Sequence, residues 1–206
     1  MTSISPDSLP RFTSIVSTAF SSAAFITANL SECLSIPPSQ ITLAHLREYL
    51  APVIVRSAED GALLFQAGDW SAVSLWQRHS TTPTPTTTKL NPLREEYKRK
   101  IAAVKNKYLP PTPSFYYYLD FLARNPDAPR TPGAVSAVIE AGLERARRED
   151  CPAWLEAVDQ HVVKIYEHFG FRLVEEVVVG AGRFDARGGL EDGGCGVSLY
   201  AMIWLP

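Results

Sequence analysis

From Phe115 to Val179 the hydrophobic pattern alternates between two periods. Residues Phe115 to Ala123 (FYYYLDFLA) are almost continuously apolar, the pattern of a strand buried on both faces. From Val135 the apolar positions become 135, 138, 139, 143 and 146, one stripe of a helix. Glu144 and Arg148 lie on its opposite side, spaced to pair across one turn. Ala153 to Val158 returns to a short strand. Val162, Ile165, Tyr166 and Phe169 then repeat at i, i+3, i+4 and i+7, with Gly170 placed as a helix stop. Two further strands are expected at 172–179 and 197–204. The glycine-rich segment 180–196 between them reads as a long loop, flexible at its tip. Alternating strands and helices of this kind imply an α/β (α+β) architecture with a mixed sheet.

The first half of the chain is less regular. Ser5-Pro6-Asp7-Ser8-Leu9-Pro10 has the residues of a helix start, with Asp7 or Ser8 able to cap and Pro10 in the first turn. Phe12, Ile15, Val16, Ala19 and Phe20 then form one apolar helical face. A second helix is expected over 39–50, with Leu43, Leu46 and Leu50 inward and His45 off that stripe. Ala51–Val55 and Ala62–Phe65 are short apolar runs. Segments 61–66 and 71–78 suit an antiparallel hairpin turning at Gly68-Asp69. Residues 79–92 (HSTTPTPTTTKLNP) carry no apolar period and read as a flexible loop within one core. Pro92 to Tyr108 is a charged amphipathic helix with Leu93, Tyr97, Ile101, Val104 and Tyr108 on its apolar side. Its run Lys98-Arg99-Lys100, flanked by Glu95 and Glu96, reads as a solvated face.

Composition narrows the function classes. A chain of 206 residues fits a single domain spanning 1–206. The 20 Lys+Arg against 22 Asp+Glu leave a net charge of -2, which points away from a nucleic-acid or membrane partner. Cys33, Cys151 and Cys195 lie far apart without C-x-x-C spacing, so neither a disulfide framework nor a metal site is expected. The uncharged stretch 12–31 sits behind Arg11, but its Ser and Thr content, Asp7, Pro6 and Pro10 do not suit a secretory leader. The expectation is a cytoplasmic protein, monomeric or homodimeric. The triplet Asn29-Leu30-Ser31 matches a glycosylation acceptor but has no weight without secretion.

One turn and a few polar residues could carry chemistry. Arg130-Thr131-Pro132-Gly133-Ala134-Val135 joins a strand to a helix, and unpaired amides at a helix N-terminus favour an anion. Asp120 and Glu156 are charged residues inside otherwise apolar strands. Each is open to two readings, a catalytic base or a carboxylate with a structural partner. Cys151, at a strand start, reads as inert.

Three pieces of sequence carry a resemblance: YLDFLARNP, GLERARREDCPAWLEA and IYEHFGFRLVEEVVV. Together they resemble the GNAT N-acetyltransferase superfamily, in the branch that includes puromycin N-acetyltransferase and fungal proteins of similar length. The resemblance implies a mixed sheet splayed around the cofactor strand, with helices on both faces. It implies acetyl-CoA as cosubstrate and a primary amine of a small molecule as acceptor. The strand at 117–124 would bulge, and backbone groups around Leu122 and Arg124 would hold the pantetheine arm. Arg130, Thr131, Gly133, Ala134 and Val135 would cradle the pyrophosphate. Tyr166 would be the general acid for the departing thiolate, and His161 falls where the family often has Asn. Two departures bear on the turn: Pro132 removes an N–H donor, and Val135 replaces a small residue. They support an alternative, a non-catalytic binding module with the same fold and a degraded cofactor site.

Overall fold

The computed structural model describes residues 2–82 and 90–206. Seven strands form one sheet in the order β1-β2-β3-β4-β5-β7-β6. They are β1 (Thr2–Ser3), β2 (Leu63–Ala67), β3 (Ala72–Ser80), β4 (Phe115–Arg124), β5 (Ala153–Ala157), β6 (Arg172–Val179) and β7 (Val197–Trp204). Neighbouring strands are antiparallel except β4 and β5, which are parallel. The helices are α1 (Leu9–Ala19), α2 (Ala24–Leu34), α3 (Leu43–Glu59), α4 (Pro92–Tyr108), α5 (Ala134–Arg148) and α6 (Gln160–His168). This is the mixed sheet with helices on both faces that the sequence leads one to expect.

Strand alternation assigns the faces. Trp76, Tyr117, Leu119, Leu155 and Met202 turn toward α5 and α6, where Ile139, Leu143, Val163 and Tyr166 meet them. Tyr116, Trp154, Val177, Leu199 and Ile203 turn the other way, onto Phe25 of α2 and Leu93, Ile101 and Val104 of α4. At the hairpin end of that second face, Val73, Leu75 and Ala123 pack under Phe12, Ile15 and Val16 of α1 and Leu50 and Ile54 of α3.

Alternation breaks once, in β4. Leu75 pairs with Phe121 and Trp76 with Leu119, so Asp120 is an extra residue with no partner in β3. A bulge of this kind reverses which residues face which side. Before it, Tyr117 and Leu119 face α5; beyond it, Leu122 joins that side while Phe121 and Ala123 pack toward α1 and α3.

Several expectations need correction. The apolar run Ala51–Val55 is no separate element: α3 continues through Pro52 to Glu59, burying Leu46, Leu50, Ile54 and Ser57 and exposing Val53 and Val55. Helix α2 follows a Ser/Ala-rich connection that gives little helical signal. Strand β1 is two residues long and owes its existence to pairing with β2. The charged helix α4 starts and ends where its Pro92 and Tyr108 placed it, and Asn91 caps it by accepting the Arg94 N–H at 2.7 Å. Asn29, in the glycosylation triplet, is buried in α2 and donates to Tyr49 Oη at 2.9 Å, so it cannot serve as an acceptor.

Of the expected loop 79–92, residues 83–89 lie outside the described residues, while His79 and Ser80 finish β3. Segment 180–196 has neither helix nor long strand. Phe184 is buried within it, and its N–H bonds back to Gly180 O at 3.0 Å while Gly196 N–H bonds to Phe184 O at 2.7 Å. Among the described residues no helix is long and apolar enough to cross a membrane.

Helix α5 sits close on the sheet because residue 142 has no side chain. A Cβ there would lie 2.1 Å from the Trp76 ring, which is fully buried and donates from Nε1 to Val138 O at 3.3 Å. Substituting Gly142→Ala should therefore destabilise the protein by about 1–3 kcal/mol through overpacking, lowering Tm by roughly 3–10 °C. Thermal unfolding checks this; an unchanged Tm would mean that α5 is not held against Trp76.

Candidate active site

The two central strands pair only briefly. β4 and β5 share the partners Tyr117↔Ala153 and Tyr118↔Trp154 and then part. From Leu119 to Arg124 the β5-facing edge of β4 has no strand partner, although β3 stays paired along the other edge. Backbone groups on such an edge need partners from water or a ligand. The gap opens a cavity of ≈ 870 Å³, within the size range of small-molecule sites. Because it passes between strands, side chains from both faces of the sheet line it. Tyr166 and Val162 come from α6 on one face, and Tyr97 and Arg94 from α4 on the other.

Tyr166 is placed by the local sequence. Asp159 caps α6, its Oδ1 accepting the N–H groups of His161 at 2.7 Å and Val162 at 3.0 Å. The Tyr166 ring packs edge-on against Phe171, with centroids 5.8 Å apart. Its hydroxyl has no hydrogen-bond partner among the described residues, yet it is not among the sealed, unsatisfied atoms, so it opens to the cavity. Burial holds its pKa well above the ordinary phenol value. It stays protonated at neutral pH and so has a proton to donate. His161, by contrast, is exposed and does not line the cavity.

The structure separates the two carboxylates that the sequence left equivalent. Glu156 is saturated: Tyr97 Oη donates to Oε2 at 3.0 Å, Tyr118 Oη donates to the same oxygen, and Trp154 Nε1 donates to Oε1 at 2.6 Å. Lys105 Nζ lies 3.7 Å from Oε1 and 4.3 Å from the Tyr118 ring centroid. Burial, and then the Glu156 charge, hold both phenols well above their ordinary pKa, so they remain donors. Glu156 is a structural hub.

Asp120 has no such partners. The bulge puts it on the cavity wall, with neither ion pair nor hydrogen bond among the described residues. Burial, and secondarily Glu156, raise its carboxyl to about 7, against the opposing pull of Lys105 and Arg94. A carboxylate poised near neutrality is the usual form of a general base.

The turn after β4 is fastened to the β2–β3 loop. Asn125 N–H donates to Ser71 O at 2.8 Å, Ser71 Oγ to Pro129 O at 3.1 Å, and Thr131 N–H to Ser71 Oγ at 3.1 Å. Thr131 Oγ1 donates to Gly68 O at 3.3 Å, and a Cβ on Gly68 would lie 2.6 Å from Thr131. Gly133 begins α5 at φ 78, a left-handed conformation that suits glycine, with nothing within 4 Å of where a Cβ would be. Ala134 N–H is used by Thr131 O at 3.2 Å. The amides of Gly133, Val135 and Ser136 have no acceptor among the described residues. The Val135 side chain, rather than covering this opening, packs inward with Phe65 and Leu122.

Among the expected site residues, the cavity brings together Leu122, Arg124 and Tyr166. Arg130, Thr131 and Gly133 lie outside its wall on the exposed turn, with Ala134 and Val135 beginning the helix behind them. Sequence reasoning missed Arg94, Tyr97 and Tyr118. Arg94 and Tyr97 are three apart on α4, a spacing that shares one face; the sequence puts Tyr97 on the apolar side, but as a core residue, and gives no sign that Arg94 turns the same way. Cys151 is buried, and burial pushes its thiol to about 11, unsuited to nucleophilic work.

No protein-family model matches the chain. Two Saccharomyces cerevisiae proteins align over 89 residues, 43% of this chain. Increased recombination centers protein 11 is 30% identical over 57% of its own length, and uncharacterized protein YDR391C is 34% identical over 38% of its length. The matches therefore span less than two thirds of those relatives. Solved structures cover nearly the whole chain. The C-terminal condensation domain of Ebony in complex with beta-alanyl-dopamine has a TM-score of 0.65 at 9% identity, covering 100% of this chain and 97% of that one. An agmatine N-acetyltransferase mutant gives 0.59 at 11% identity, covering 98% and 97%. Arabidopsis thaliana NAA60 in complex with acetyl-CoA gives 0.56 at 11% identity, covering 99% and 96%. Identities this low show the architecture alone.

The raised carboxyl of Asp120 has a consequence for stability. Between about pH 4 and 7 the folded protein keeps a proton that the unfolded chain has lost, so stability falls as pH rises through that window and levels off above it. At about 1.4 kcal/mol per pKa unit the ceiling on this cost is roughly 4 kcal/mol. Asp120→Asn should therefore raise Tm at pH 8 more than at pH 4, checked by unfolding curves at both values. Equal shifts at the two values would show that Asp120 ionises normally. The fold the chain presents around this cavity is that of the GNAT N-acetyltransferases.

Proposed function

We propose that the protein transfers an acetyl group from acetyl-CoA to a primary amine of a small molecule. The observation that carries this reading is the convergence, on one cavity between parted strands, of an unpartnered Tyr166 hydroxyl and the neutral-range carboxyl of Asp120. The residues present suit the cosubstrate. The open edge of β4 around Leu122 and Arg124 offers backbone groups to an extended amide-bearing arm. The free amides of Gly133, Val135 and Ser136, with Arg130 beside them, offer an anion site for the pyrophosphate. Acetyl-CoA supplies the activated thioester, whose thiolate is the leaving group.

The chain's own groups then manage protons and position. Asp120 takes a proton from the amine, whose nitrogen forms a bond to the acetyl carbon as the carbon–sulfur bond breaks. Tyr166 gives its proton to the departing sulfur, leaving amide and thiol. The phenolate and the protonated carboxyl return to their starting forms by proton exchange with solvent. Glu156 does not touch the reaction; it keeps Tyr97, Tyr118 and Trp154 fixed on the cavity wall.

A second reading has its own observation. Thr131 N–H is committed to Ser71 and Pro132 has none, so the turn presents fewer donors than an unobstructed helix start. That favours a binding module of the same fold without turnover. Thermal unfolding with acetyl-CoA separates the two. Ligand at ~100 times its dissociation constant adds about 2.7 kcal/mol, or roughly 5–10 °C for a chain of this size.

With acetyl-CoA and a competent amine, Tyr166→Phe should lower kcat by about 10²–10⁴, the usual worth of acid–base catalysis, while cosubstrate binding persists. The wild-type rate should rise with pH to a plateau above about 7, because the base must be ionised, and Asp120→Asn should lose that step. No thermal shift at millimolar acetyl-CoA would sink the enzyme reading, and an unaltered kcat in Tyr166→Phe would remove Tyr166 from the mechanism.

A further inference from the structure

The cavity holds a charge that acetyl transfer by itself does not require. Arg94 stands on the first turn of α4, where Asn91 caps the helix and Glu32 Oε2 accepts the Leu93 N–H at 2.8 Å. Asn91 Nδ2 in turn donates to Asn29 Oδ1 at 3.1 Å, tying this turn to α2. So fixed, the guanidinium lies 5.0 Å from the Tyr97 ring centroid and 5.8 Å from that of Phe25. It lines the cavity, yet among the described residues it makes neither an ion pair nor a side-chain hydrogen bond. Burial opposes its charge while Tyr97, Tyr49, Tyr118 and Asp120 favour it, and its hydrogen-bond donors are left to a ligand that brings an anion.

Elsewhere the chain supplies such partners itself. Arg183 is paired with Glu32 and lies 3.3 Å from Glu96, and Glu156 has three donors and Lys105. Arg94 and Asp120, both half-buried, break this pattern together; Arg124 and Arg187 also line the cavity without an ion pair among the described residues, but both are exposed. Arg94 and Asp120 share the cavity without forming a pair with each other. The cavity wall also carries the aromatic side chains of Phe20, Phe25, Tyr49 and Tyr97.

We propose that the acceptor is an amino acid: a primary amine whose carboxylate is held by Arg94 while its nitrogen is presented to Asp120, with an apolar or aromatic body against Phe20 and Phe25. This rests on the acetyltransferase reading above. The planar guanidinium fork matches a carboxylate in two parallel hydrogen bonds. The reaction balances as before: the amine loses a proton to Asp120, nitrogen bonds to the acetyl carbon, and the thiolate takes the proton of Tyr166. The products are an N-acetylamino acid and coenzyme A. Arg94 is a specificity determinant that touches the substrate away from the reacting atoms.

The test compares amines that differ only in the carboxylate: phenylalanine with phenethylamine, and leucine with isopentylamine. With acetyl-CoA at pH 8, kcat/KM should favour the amino acid of each pair by at least about tenfold, the worth of one charge-assisted contact. In Arg94→Gln that ratio should fall toward one, chiefly through KM, and Arg94→Lys should restore it only in part. Turnover of the amines without a preference for the amino acids overturns the inference and leaves the acetyltransferase reading standing. If acetyl-CoA binds but no amine is turned over, the acetyltransferase reading fails instead. Calorimetric titration of the same pairs into the coenzyme A-loaded protein then decides the ligand class. Amino acids bound at least tenfold more tightly, with the difference lost in Arg94→Gln, support it; equal or absent binding overturns it.

Discussion

The structure depends on β4 leaving β5 after only two residue pairs. A parallel pair in the middle of a sheet would ordinarily continue, because each further residue adds a backbone hydrogen bond worth about 0.5–1.5 kcal/mol net. Here β4 runs on for six residues, Leu119 to Arg124, held only by β3. The bulge at Asp120 makes this tolerable. It bends the strand away from β5 and lets Leu122 rejoin the α5 face while Phe121 and Ala123 pack beneath α1 and α3. The strand is anchored on both sides of its open edge, so the gap persists as a cavity.

Around that gap the chain treats buried charge in two ways. Glu156 is surrounded by donors, and its hub ties α4 to β4 and β5 through Tyr97, Tyr118 and Lys105. Removing one member of such a network leaves others unpaired, so the network fixes geometry more than it adds stability. Asp120 and Arg94 receive no such treatment. Among the described residues neither has an ion pair or side-chain hydrogen bond, and the cost this imposes at Asp120 becomes intelligible if the cavity is a site where a ligand completes the charges. The same polar wall keeps His79 neutral: burial first, and Lys105 second, lower its pKa to about 4, with its ring stacked 5.7 Å from Tyr116.

Much of the scaffold was legible in the sequence because its elements are amphipathic and bounded by strong signals. Pro92 opens α4, Gly170 follows α6, and Gly68-Asp69 turns the first hairpin. The open stretch of β4 was legible through resemblance, which also pointed to Tyr166; the structure places Tyr166, Leu122 and Arg124 on one cavity. The rest needed three dimensions. Pro52 hid the continuation of α3, since a proline inside an apolar run reads as an interruption. Helix α2 is rich in Ser, Thr and Ala and owes its burial to packing on α4 and β7. Above all, nothing in the residue string separates Asp120 from Glu156. Both are acids within apolar strands. Only the bulge at one and the ring of donors around the other give them different surroundings. Arg94 was hidden for a related reason: on a helix with so many charges, one that faces inward looks like its neighbours.

In the proposed function acetyl-CoA lies along the open edge of β4 and against the start of α5. Amide hydrogen exchange with and without acetyl-CoA tests it directly, because the β5-facing amides of 119–124 have no strand partner and those of Gly133, Val135 and Ser136 have no acceptor among the described residues. Binding should slow exchange at the β5-facing amides of 119–124 and at Gly133, Val135 and Ser136, with β6 and the outer hairpin unchanged. Bound acetyl-CoA with protection elsewhere, and none along β4, would contradict it.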